Sequence, residues 1–226
     1  DKYLFNSDIV IAECDLFKKQ LEENTGLRQI QTLYFCKAEN FVNKYDTWCQ
    51  NTRIELCYLG SINNIIDIEM IGRFIKELGT DRQIIVHVIG DGEKRKELLD
   101  SIKNNGGEPI FHGIIFSESD KKEIFAKCDY CLNIMKTTVN VGMTMKSLDY
   151  FSFGIPIINN IRGDISKLVQ DENIGFNIEE SNIKEVVMKI KKMSFESYLR
   201  MVKNVQDIHN KNFCIEKFNY EMEKML

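Results

Sequence analysis

Apolar residues fall along the chain in two rhythms. Short runs without alternation recur at positions 9–12, 33–36, 54–59, 84–89, 109–112, 129–134 and 155–158. Runs of that length suit strands buried on both faces of a parallel sheet. Between them, Met70, Ile71, Phe74, Ile75 and Leu78 repeat at helical spacing before Gly79, which predicts a helix over 65–78 with a glycine stop. The same reasoning places helices over 15–23, 93–104, 119–127 with Ser119 as its cap, 181–193, 195–209 and 213–226. From residue 54 onward the strand-helix alternation is the doubly wound α/β pattern, a Rossmann-like parallel sheet. Residues 38–53 show neither period and read as linker, with Phe41 and Trp48 expected to pack a hinge or cover a domain edge.

One stretch organises the rest. Within 142–160, Thr144 can cap a short helix, Gly154 can end it in a left-handed conformation, and Pro156 cannot continue it. Met145, Leu148 and Phe151 would share one face of that helix, and Lys146, Asp149 and Phe153 another. A helix start carries partial positive charge, so a lysine in the first turn makes sense where an anion such as a phosphate sits against it. Asp149, one turn on, would then be placed to accept hydrogen bonds from sugar hydroxyls. The alternative is a Lys146–Asp149 surface pair, worth about 0.2–0.5 kcal/mol.

Ligands of such sheets bind beyond the carboxyl ends of the strands, near the point where strand order reverses. The ends concerned are Gly60-Ser61, Gly90-Asp91-Gly92, Gly113 and the loop 136–144. Small residues there let phosphates approach backbone amides. Gly90-Asp91-Gly92 lacks the third glycine of the dinucleotide fingerprint, Arg95 standing in its place. His112, directly before Gly113, is the histidine expected nearest a ligand; His87 falls in a strand core and His209 on a solvated helix. Cys128-x-x-Cys131 has no second Cys or His pair at zinc spacing and reads as core packing. Walker, serine-elbow and zinc-helix signatures are missing from the sequence.

Composition narrows the setting. A formal charge of -4 over 226 residues gives no global attraction to nucleic acid. Seven cysteines, odd in number and irregularly spaced, fit reduced thiols and a cytoplasmic location. No apolar run approaches the roughly 20 residues of a membrane helix, and no signal peptide is recognisable. The chain begins at Asp1 and is expected to be a fragment. Lys184, Lys189, Lys191 and Lys192 read as a solvated face, with a membrane surface as the alternative.

The pattern Lys146-x-x-Asp149-Tyr150-x-x-x-Gly154-x-Pro156, followed by Gly163-Asp164 and Gly175, resembles the donor-site signature of GT-B glycosyltransferases of the bacterial polysaccharide and lipid-glycosylating kind. The resemblance runs from about Leu56 to Ile178. It implies a C-terminal, nucleotide-sugar-binding domain over 54–192, preceded by a remnant of the acceptor-side domain and a connector over 1–53 and followed by C-terminal helices over 193–226. It also implies a UDP- or GDP-sugar donor, with the diphosphate held by Lys146 and the amides of Gly60, Ser61 and Thr144, the ribose by Asp149, and the base near His112 and Gly113. Gly90 and Asp91 belong to a turn that such enzymes also carry. No redox cofactor and no metal is implied. The acceptor would be a glycan or lipid-linked, with a peripheral contact at the inner face of a membrane. The acceptor domain would be missing from this chain, leaving it able to bind a donor but not to turn it over. Two positions depart from the common pattern: Val141 stands where many relatives have Glu, and Ser61 to Asn64 supply no Arg or Lys for the diphosphate. Other readings are a non-catalytic interaction protein that keeps the fold, and a nucleotide-sugar epimerase.

Overall fold

The computed structural model describes residues 3–44 and 52–225. A small parallel pair, β1 (Val10–Ala12) and β2 (Ile30–Thr32), is joined by helix α1 (Asp15–Thr25). The main sheet has six parallel strands: β3 (Arg53–Leu59), β4 (Gln83–Ile89), β5 (Gly107–Gly113), β6 (Tyr130–Asn133), β7 (Ile157–Asn159) and β8 (Gly175–Asn177). Their order is β5-β4-β3-β6-β7-β8. The chain therefore builds outward from β3, returns to its other side and builds outward again, which puts the reversal point between β3 and β6. Helices α2 (Ile68–Leu78), α3 (Arg95–Asn104), α4 (Glu118–Phe125), α5 (Met145–Ser152), α6 (Asp164–Glu172) and α7 (Ile183–Lys191) cover the sheet, and α8 (Phe195–Ile208), a π-helical turn at His209–Phe213 and α9 (Ile215–Met225) close the chain.

The expected absence of alternation follows from two cores. On one face Ile54, Leu56, Tyr58, Ile84, Val86 and Val88 meet the α2 stripe, α3, α7 and Tyr198. On the other, Cys57, Leu59, Ile89, Cys131 and Ile157 meet α5, α6 and Phe213. Full burial of one such aliphatic or aromatic side chain contributes about 1.5–3 kcal/mol before entropy. Cys128 and Cys131 are both wholly buried. The α5 boundaries are set as the sequence suggests: Thr144 accepts from the Ser147 amide, and Gly154 follows at φ 74°. Phe153 belongs to the core, stacked on Phe125 at 4.6 Å, whereas Met145 is half exposed.

Several expectations need correction. The strand near 33–36 lies three residues earlier, as β2; Tyr34 instead packs edge-on against Phe213, with ring centroids 5.6 Å apart. Ser117, not Ser119, caps α4, accepting from the Asp120 amide. His209 is buried, its Nε2 donating to the Lys37 carbonyl at 3.1 Å. Residues 37–44 form a strap along the main domain. The Asn40 amide bonds Ser152 O at 2.8 Å and the Val42 amide bonds Phe153 O at 3.1 Å. Lys44 ends the strap, donating to Phe125 O at 2.7 Å, Ala126 O at 3.1 Å and Cys128 O. These carbonyls lie at and just beyond the end of α4, where a cation is favoured by both bonding and helix dipole. Burial lowers the Lys44 pKa. Phe41 packs edge-on to His209 at 5.4 Å, while Trp48 lies outside the described residues.

Candidate donor site at the reversal point

Beyond Cys57 and Cys131 the register of β3 with β6 ends, and the gap is filled by one hydroxyl. Tyr150 accepts from the Leu59 amide at 3.0 Å and donates to Leu132 O at 3.1 Å. Helix α5 is thereby stitched into the parting of the strands, with its first turn at the carboxyl ends. In sequence Tyr150 is one member of the Lys146-to-Pro156 pattern; its signal is that of a buried tyrosine, whose hydroxyl needs partners.

On the β3-β4-β5 side the rim is glycine. The Gly60 amide bonds Ile89 O at 2.9 Å and the Gly90 amide bonds Gly113 O at 2.7 Å, so the three glycines stand in a row. Gly90, at φ 129°, would place a Cβ 2.0 Å from Gly60 O, so its glycine is required by the neighbouring loop rather than by a ligand. Gly60 and Gly113 face open space. Because the Gly60 amide is spent on Ile89, Ser61 is left as the available amide of that pair, having no hydrogen-bond partner for its own N–H among the described residues. Asp91 turns onto its own loop, accepting from the Gly92 amide at 2.8 Å and pairing with Arg95 at 3.1 Å.

His112 is the extra residue of a β-bulge, since Val88 pairs with Phe111 and Ile89 with Gly113. Its Nε2 lies 2.9 Å from His87 Nδ1, and His87 Nε2 lies 2.8 Å from Glu55 Oε2. Glu55 Oε1 meets Arg53 at 2.8 Å. The carboxylate accepts, so His87 Nε2–H donates to it and His112 Nε2–H donates to His87. Burial pushes the Glu55 carboxyl up, and the His87 hydrogen bond with the Arg53 charge outweighs it, leaving the group below its ordinary value. Burial lowers the His112 pKa.

On the β6-β7-β8 side the rim is asparagine. Asn133, Asn159 and Asn177 occupy matching register positions, and Asn133 Nδ2 donates to Asn159 Oδ1 at 2.8 Å while Asn159 Nδ2 donates to Asn177 Oδ1 at 2.7 Å. Thr144 Oγ1 donates to Asn133 Oδ1 at 3.0 Å. This ladder holds the start of α5. Its signature in the sequence is three short strands each ending in Asn. The Thr144 hydroxyl is consumed by the cap and the ladder, leaving the amides of Thr144, Met145 and Lys146 without partners among the described residues.

Lys146 leaves that first turn and lies over the Tyr58 ring, Nζ 4.9 Å from its centroid. The Tyr58 hydroxyl donates to Ser61 O at 2.9 Å, so Lys146 and the β3 loop share one wall. The lysine is 8% exposed, and no carboxylate pairs with it among the described residues. Burial alone lowers its pKa to about 8. Asp149 does not pair with it; its Oδ1 meets Lys37 of the strap at 2.8 Å. The structure thus brings Gly60, Ser61, Thr144 and Lys146 together, extends the rim through Gly90 to Gly113, places Asp149 one turn behind, and turns His112 inward and Asp91 onto its own loop.

No curated protein sequence matches the chain. Solved structures do match its fold. A point mutant of S. aureus TarM, in complex with Fondaparinux, alpha-GlcNAc-glycerol and UDP, superposes with TM-score 0.72 at 13% identity over 96% of this chain and 43% of its own. Anabaena HepE, with UDP and glucose, gives 0.71 at 15% over 96% and 62%. The pneumococcal O-GlcNAc transferase GtfA, with UDP and GlcNAc, gives 0.70 at 14% over 99% and 46%. The chain spans between 43% and 62% of the length of these three. Residues 53–194 match the family described as Glycosyl transferases group 1, which covers most of the six-stranded unit and its helices. With a GT-B Rossmann-like fold around that match, the chain belongs to the group 1 glycosyl transferases.

Proposed function

We propose that this chain is the donor-binding half of a glycosyltransferase that moves a sugar from a UDP- or GDP-sugar to a glycan or lipid-linked acceptor. The observation that carries the reading is Lys146, a buried cation with no anionic partner among the described residues, beside three unbonded first-turn amides at the strand reversal point. A diphosphate supplies the missing counter-charge, met by Lys146, the amides at the start of α5 and the Ser61 amide. In transfer, the anomeric C–O bond breaks and charge grows on the leaving diphosphate; preorganised donors of this kind stabilise it. Asp149 accepts from the ribose hydroxyls through Oδ2 while Lys37 holds Oδ1. The base lies along the rim at Gly113, where Ile114 and Phe116 are exposed. UDP in the structures of TarM, HepE and GtfA supports the donor class.

The second half of the cleft and most of the acceptor site belong to the part of such enzymes that this chain does not span, so the chain alone binds donor without turnover. A sugar-transfer assay of the chain alone checks this; turnover at the rate of a complete enzyme would refute it. The site itself is tested by calorimetric titration with UDP, GDP and NAD. Binding of UDP or GDP with a Kd between about 1 mM and 1 μM, lost in Lys146→Ala and weakened in Asp149→Ala, is the expected result.

A further inference from the structure

Beside the start of α5 lies a cleft of about 180 Å³ between the loops that leave β6 and β7. Its walls include Val141, where many resembling enzymes have Glu, together with Val139 and Ile161. Its charged lining is Lys136 and Arg162, with no carboxylate among its lining residues. We infer that this cleft takes an anionic group, a carboxylate or phosphate, carried by the transferred sugar or by the acceptor. The identity of the bearer rests on the donor-site reading above; the sign of its charge rests on the cleft.

The cleft is built, not incidental. Asn160 clamps Met135 through both amide atoms, Oδ1 accepting from Met135 N and Nδ2 donating to Met135 O, each at 2.8 Å. The Lys136 amide bonds Ile65 O at 2.9 Å, which fixes where that lysine starts. Neither Lys136 nor Arg162 has an ion pair among the described residues. Nearby carboxylates are mostly engaged. Asp164 accepts from the Asp15 amide at 2.8 Å, the Leu16 amide at 3.0 Å and the Tyr34 hydroxyl at 2.5 Å. Asp15 accepts from Thr32 at 2.6 Å, Asp67 caps α2, and Glu180 pairs with Arg73 at 2.8 Å. Arg162 also lines a neighbouring cleft, together with Asp67, Glu179 and Glu180. In a chain of net charge -4 this is a local reversal of sign. Lys136 and Arg162 are both exposed at the cleft, so water meets their charge when the cleft is empty; a carboxylate or phosphate there gains charge-assisted bonds, bidentate from the arginine, that a neutral hexose does not offer.

The test compares matched donors that differ only in a C6 carboxylate, UDP-glucose with UDP-glucuronate and GDP-mannose with GDP-mannuronate, on the chain and on Lys136→Met and Arg162→Met. A parallel arm follows the methyl resonances of Val139, Val141 and Ile161 during titration with glucose, glucuronate or glycerol 1-phosphate, without nucleotide. The expected result is about tenfold tighter binding of the carboxylated donor, lost in either variant while free UDP or GDP binds as before. Methyl shifts with glycerol 1-phosphate but not glucuronate, abolished by the variants, assign the anion to the acceptor instead. Equal binding of neutral and charged donors, with no methyl shift from either anion, overturns the inference. So does loss of free nucleotide in the variants, which would make the cleft part of the diphosphate site. Should no nucleotide bind at all, the donor reading fails and the methyl arm alone decides the cleft's charge preference.

Discussion

The two halves of the sheet end differently. Strands β3, β4 and β5 run out into glycines joined only by backbone bonds, with open space above Gly60 and Gly113. Strands β6 and β7 and their neighbour β8 end in asparagines whose side chains bond one another and then Thr144. One half keeps its rim low and its backbone open; the other spends polar side chains on holding a helix start in place. Lys146 stands between them, supplied by the rigid half and facing the open one. A site that must meet a charged ligand without reorganising needs both parts.

The contrast can be broken at its tightest point first. Gly90→Ala should destabilise the chain by at least about 3 kcal/mol, because its Cβ would lie 2.0 Å from Gly60 O; denaturant unfolding measures this, and Gly60→Ala, which meets no atom within 4 Å, should cost less through φ strain alone. Asn159→Ala opens the rigid half, leaving Asn133, Asn177 and Ile161 without their partner; about 2–4 kcal/mol is expected from several unmet buried groups, with donor affinity reduced alongside. Tyr150→Phe removes the hydroxyl between Leu59 and Leu132 at a cost of about 1–3 kcal/mol, read from the unfolding midpoint. A further effect is in pH. With a folded pKa of about 8 against 10.5 unfolded, Lys146 binds fewer protons folded than unfolded, so the ligand-free chain gains stability as pH rises from 8 to 10.5. Nucleotide affinity should run the opposite way, flat below pH 8 and falling above it as the ammonium is lost; a calorimetric pH series on the chain, with Lys146→Arg restoring a flat profile, checks both signs.

Much of the frame was legible because burial on both faces writes itself as uninterrupted apolar runs, and because Thr144, Gly154 and Pro156 each act locally on α5. What escaped was polar and long-range. Tyr150, Asn133, Asn159 and Asn177 look like ordinary strand and helix residues until the topology sets their ends side by side. The strap was invisible for a different reason. Lys44 and Val42 take their order from α4 and α5, which lie a hundred residues away in places, so no local period marks them. Lys146 was legible as an oddity in a helix start, but its burial over Tyr58 was not. His209 was misjudged because its neighbours in sequence are polar while its contacts, Lys37 and Phe41, come from the strap.

The most direct test of the account is titration of the chain with UDP and GDP, repeated on Lys146→Ala and Lys146→Arg. The account predicts that one nucleotide binds in the micromolar to millimolar range, that alanine weakens it by at least about tenfold, or 1.4 kcal/mol, and that arginine recovers most of the loss. Equal nucleotide affinity in all three proteins, with each folded, would contradict it by showing that the buried cation at the reversal point meets no diphosphate.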